Sequence, residues 1–121
     1  PHPTLGIYWE EDGMPPIIGL SNSLLQDSRL LCCVFAEELG HHYTTVGDTI
    51  PKVYFSRLDR LLVSKSEYKA MKWAGQFLIP LDKLYACFDK GQVNSWELAE
   101  IFGVTEEFAR FRCGLPDLKA E

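Results

Sequence analysis

The residues of greatest chemical potential in this chain stand together in one short run, Ala36-Glu37-Glu38-Leu39-Gly40-His41-His42. In a helix, residues four apart lie above one another, so Glu37 and His41 share a face and Glu38 stands one step round. A carboxylate and an imidazole one turn apart are two ligands for a metal ion. A carboxylate between them is a base that can take a proton from water. The spacing is that of the string H-E-x-x-H, with glutamate where the first histidine would stand. Glu67 offers a third donor. It precedes Ala70 and Met71 by three and four residues and so falls on the inward stripe of a later helix. Each residue also has a plainer reading. Glu37 and His41 form a buried hydrogen-bonded pair, Glu38 is a salt-bridged carboxylate, and Glu67 is a first-turn acid favoured by the helix dipole. His42 reads as structural, with a shifted Glu38–His42 pairing as the alternative. Asp48, after Gly47, falls at the wrong offset from Glu37 to serve as a ligand beyond the helix.

These side chains need a helix held inside the protein. Leu30–Ala36 is apolar all round, which predicts neighbours on every side, and the helix should run from a cap at Asp27 or Ser28 to about Tyr43. Before it, Leu5–Glu10 and Pro16–Leu20 read as strands joined by turn chemistry at Glu11-Asp12-Gly13, a hairpin. After it, Val46-Gly47-Asp48 reads as a turn, Pro51–Phe55 as extended, and Arg57–Val63 as a short helix. A second long helix, capped by Ser64 or Ser66, should end at Ile79 before Pro80, with Ala70, Met71, Ala74, Phe77 and Leu78 inward. Three short helices complete the chain. Leu81–Phe88 stops near Gly91, Trp96–Phe102 follows a capping box at Asn94-Ser95-Trp96-Glu97 and ends at Gly103, and Glu106–Cys113 is capped by Thr105. The expected fold is α+β: a small antiparallel sheet packed on a central helix, with further helices.

Composition bounds the rest. At 121 residues, 46% hydrophobic and 24% charged, the chain suits one domain, with a core over 5–80 and a helical segment over 81–121. The net charge of −5 argues against nucleic-acid binding. The last two helices have some helix-turn-helix rhythm, but Glu106 and Glu107 at the second helix's start would repel phosphates. No apolar run has the roughly twenty residues of a membrane span. The opening Pro-His-Pro-Thr lacks the basic and apolar regions of a signal peptide, and without an initiator Met it reads as starting inside a longer protein. Cys32, Cys33, Cys87 and Cys113 form no C-x-x-C pair, so reduced thiols and a cytoplasmic setting are expected.

At Ala36–His42 (AEELGHH), Thr44–Asp48 (TTVGD) and Glu67…Ala70…Trp73-Ala74…Leu78-Ile79-Pro80, the chain resembles the ImmA/IrrE family of metallopeptidases. Members typically carry H-E-L-G-H, then a helix with a liganding glutamate ahead of F/W-A-x-x-L-L-x-P. The resemblance implies a zincin-like domain and zinc-dependent endopeptidase activity, often directed at a phage or mobile-element repressor. Glu37, His41 and Glu67 would hold the metal and Glu38 would be the catalytic base. Zinc is the expected ion, with another divalent metal or none as alternatives. The chain departs from the family at Glu37, where members have histidine, and at Lys69, where many have the glutamate directly before the alanine. A catalytically inactive binding protein of the same fold is the competing reading.

Overall fold

The computed structural model describes residues 5–44, 52–54 and 65–119. Among these residues, three strands and five α-helices follow one another: β1 (Gly6–Trp9), β2 (Ile17–Leu20), α1 (Ser28–Thr44), β3 (Lys52–Tyr54), α2 (Lys65–Leu78), α3 (Leu81–Asp89), α4 (Ser95–Phe102) and α5 (Glu106–Cys113). The fold is α+β. The sheet order is β2-β1-β3, and both neighbours run antiparallel to β1. The hairpin forms where expected: Gly13 takes the left-handed conformation (φ +81°) and Met14 N–H donates to the Glu11 carbonyl. The expected turn at Val46-Gly47-Asp48 and helix at Arg57–Val63 lie outside the described residues. No helix among the described residues is long and apolar enough to cross a membrane.

Helix α1 starts at the expected cap, since the Asp27 carboxylate accepts from Leu30 N–H at 3.1 Å. It divides two apolar regions. Val34 joins Leu5 and Leu24 under the sheet, whereas Cys33 and Ala36 join Ala74, Leu84, Leu98 and Phe108 among the helices. The expectation of cover on every side fails at one flank. Phe35 is 43% exposed and Cys32 is half-buried, because α1 is gripped by the sheet on one side and α2 on another, leaving its outer side open. The capping box at Asn94 is also not formed: Asn94 occupies the cap position but its side chain makes no capping bond, while Ser95 Oγ donates to Glu106. Gly103 (φ +68°) and Thr105, which accepts from Phe108 N–H, behave as the sequence predicts.

Arg112 shows how α5 is tied to the core. Its side chain is fully buried; Nε donates to the Ile79 carbonyl at 2.7 Å, and both terminal nitrogens donate to Asp117 at 2.9 and 3.0 Å. Arg112 is thus used internally, and Arg110 pairs with Glu106. Burial alone would raise the Asp117 carboxyl, but hydrogen bonds from Arg112 and Gln76 and the guanidinium charge outweigh it and hold the group below its ordinary value. A carboxyl lowered on folding adds stability that is complete above its unfolded pKa and is lost as pH falls through the folded value. Asp117→Asn should therefore cost about 2–3 kcal/mol at neutral pH, less than a fully buried pair because Asp117 is partly exposed. The loss should shrink as the solution is acidified. Urea denaturation across that range checks it, and a pH-independent difference would contradict the ion-pair account.

Candidate metal centre

The motif falls on the inner half of α1. Glu37, Glu38 and His41 are each at most 1% exposed, although all three are ionisable. Such groups are costly to bury unless they are paired or ligating. Helix α2 brings the fourth: Glu67 Oε2 lies 3.4 Å from His41 Nε2, with Glu67 27% exposed and His41 1%. Lys69, at the position where the resemblance leads one to look for the acid, is exposed.

Gly40 makes this approach possible. A Cβ built there would lie 2.4 Å from the Ala70 carbonyl oxygen and 3.0 Å from Ala70 Cα, so the two backbones are in direct contact. His41 follows Gly40, and Glu67 lies one turn before Ala70 on the same face of α2, so the contact sets the two side chains opposite each other. On the other side of α1, β1 comes equally close. A Cβ on Gly6 would lie 2.8 Å from Val34 Cγ1 and 3.1 Å from Glu38 Oε2. Glu38 is therefore tucked under the central strand.

The separation of His41 and Glu67 has a chemical meaning. It exceeds the roughly 2.7–3.2 Å of a well-formed N–H···O bond. Two donors at about 2.0–2.1 Å from one tetrahedral ion stand about 3.3–3.4 Å apart. The imidazole nitrogen and carboxylate oxygen thus fit a divalent ion as two of its ligands. Glu37, one turn before His41 and equally buried, is the remaining candidate. Among the described residues, no three His, Cys, Asp or Glu side chains converge as a ready-made set.

His42 is engaged elsewhere. The Tyr8 hydroxyl donates to Glu10 Oε1 at 3.0 Å and lies 2.9 Å from His42 Nδ1. With its single proton committed to Glu10, the phenol oxygen accepts from His42, which places the hydrogen on Nδ1. Burial, and then the Glu10 carboxylate, push the Tyr8 pKa up to about 12, so the phenol stays a neutral donor. Sequence reasoning missed this brace, because Tyr8 and His42 are 34 residues apart. From His42 the aromatic contacts continue through Tyr43 to Trp73 and Phe77 of α2, the last two rings stacked at 4.8 Å. Tyr8→Phe should lose about 1–2 kcal/mol, measurable by chemical denaturation, because it removes a buried acceptor from His42. An unchanged midpoint would show the brace to be energetically empty.

The family model for the IrrE N-terminal-like domain, Peptidase M78, matches residues 3–114. No curated protein and no solved structure matches. The match spans the hairpin, the α1 motif and the helices that follow; it carries the zincin-like fold with it and, as a metallopeptidase family, suggests a metal cofactor. The chain belongs to the Peptidase M78 metallopeptidase family.

Proposed function

We propose that the chain is a zinc-dependent endopeptidase that cleaves a protein partner such as a phage or mobile-element repressor in the cytoplasm. The observation that carries this reading is the 3.4 Å approach of buried His41 to Glu67, beside buried Glu38, in a metallopeptidase family. His41, Glu67 and Glu37 are the residues that would hold the ion. A bound divalent ion supplies Lewis-acid polarisation and makes water acidic enough to attack at neutral pH. Glu38 takes the proton of the attacking water on a carboxylate oxygen and passes it to the leaving amine. Its place under β1 shields that carboxylate from bulk water and fixes its direction. The protein substrate enters as an extended segment.

A second reading, a catalytically inactive relative that binds its partner without cutting it, is favoured by two observations. Glu37 replaces the usual ligand, and no triad of donors converges among the described residues. Elemental analysis of protein purified without chelator separates the two. Near-stoichiometric zinc that is lost in both Glu37→Ala and His41→Ala supports the peptidase. Metal-free protein that still binds its partner supports the relative.

A further inference from the structure

Strand β2 is an edge whose chemistry nothing in the metal site uses. All β1–β2 partners sum to the same register, and Ser21 N–H donates to Leu5 O in that register. In an antiparallel ladder, residues alternate between bonding their partner and pointing away. Ile17, Gly19 and Ser21 therefore bond toward β1, and the N–H and C=O groups of Ile18 and Leu20 point outward. Pro16, the next outward position, has no N–H to leave unpaired, as suits an edge. Among the described residues, no element pairs with this side.

The two faces of the edge carry separate apolar clefts. Leu20 is paired with Gly6, whose Cβ direction meets Val34, so Leu20 faces α1. There a cleft of about 330 Å³ is lined by Leu20, Ser28, Leu31, Cys32 and Phe35. Ile17 is paired with Trp9 on the opposite face, beside a cleft of about 200 Å³ that includes Met14 and Glu11. The first cleft is on the reverse of the active helix, since Cys32 and His41 are nine residues apart and so about half a turn round. It is no part of the metal centre.

We propose that β2 is a docking edge for an extended segment of another protein, added as a fourth, antiparallel strand. Opposite residues share a face, so the segment places one apolar side chain against Leu20 and Phe35 and a second, three residues later, against Ile17 and Trp9. Running antiparallel, its C-terminal end reaches the exposed Glu11 and Asp12 of the hairpin turn, which select lysine or arginine there. The recognised pattern is apolar-x-x-apolar followed by a basic pair. A second copy of this chain suits the edge poorly. The residues that follow the copy's strand, Ser21 to Asp27, include no lysine or arginine to meet Glu11 and Asp12, and both molecules carry a net charge of −5.

The test uses the full chain and labelled Thr/Ser decapeptides carrying two leucines at spacings of two, three or four and a lysine pair at either end, read by fluorescence anisotropy. The three-residue spacing with C-terminal lysines should bind about tenfold tighter than the others, the difference made by one further buried leucine. Ile18→Pro removes an outward N–H without touching the β1 ladder and should weaken binding about tenfold. N-methylation of the peptide at the first leucine's parity should abolish binding, whereas methylation at the other parity should leave it intact, and this arm needs no protein variant. Absence of binding, no preference among spacings, or equal effects of both methylation patterns would overturn the proposal. So would a dimer in sedimentation that Ile18→Pro dissolves, which would give the edge to a second copy.

Discussion

Replacing Glu38 with Gln is expected to lower peptide hydrolysis by about 10²–10⁴-fold while leaving fold and metal content unchanged. Gln has the size of Glu, so it can occupy the same space under β1, where a Cβ on Gly6 would stand 3.1 Å from Glu38 Oε2. What it cannot do is accept a proton and return it. With His41, Glu67 and Glu37 as the proposed ligands, Glu38 does not hold the ion and metal affinity should not move. Glu37→His, in contrast, restores an imidazole to the first ligand position and should tighten zinc binding, because imidazole suits zinc better than the harder carboxylate does. The measurement is cleavage of a candidate repressor alongside metal content for the parent and both variants. Undiminished cleavage by Glu38→Gln would defeat the proposed mechanism. A parent that never cuts, beside a Glu37→His variant that does, would show a competent fold whose natural ligand set has left catalysis.

What the sequence made legible was local. Asp27, Gly13, Gly103 and Thr105 act through bonds or backbone angles within a few residues of themselves, and each sits where its chemistry predicts. The E-E-L-G-H run was legible because helical spacing alone stacks Glu37 on His41. The capping box was misread: Asn94 takes the cap position without a side-chain bond, and Ser95 bonds Glu106 eleven residues ahead, a tertiary contact that local spacing does not announce. The open flank at Phe35 was misread for a related reason. An apolar run says that a helix is well covered, but the number of covering elements is a property of topology. The Tyr8–His42 brace and the Arg112–Asp117 lock depend on which side chains the fold brings together, so no periodicity announces them. One residue did carry an unread signal. Gly40 stands inside a helix, where glycine costs about 1 kcal/mol relative to alanine, and such a cost calls for a reason.

Gly40→Ala turns that reason into a measurement. Helix propensity alone predicts a gain of up to about 1 kcal/mol. The structure predicts the reverse, because the new methyl would lie 2.4 Å from the Ala70 carbonyl oxygen, a backbone atom that cannot swing aside. Restoring ordinary contact requires α1 and α2 to part by about 1 Å, with an overpacking cost of about 1–3 kcal/mol, so destabilisation wins. The same displacement separates His41 from Glu67, which now stand 3.4 Å apart, and a misplacement of that size at a reacting centre costs about 100-fold in rate. Gly75→Ala is the control. It lies in the buried part of α2, but its Cβ would come no nearer than 3.4 Å to the Arg112 and Leu115 side chains. There propensity should prevail, and the variant should be as stable as the parent or more so. Denaturation midpoints for the two variants should therefore move in opposite directions, with metal affinity falling only in Gly40→Ala. If both gain stability and both keep their metal, the close approach of α1 to α2 does not position the donors.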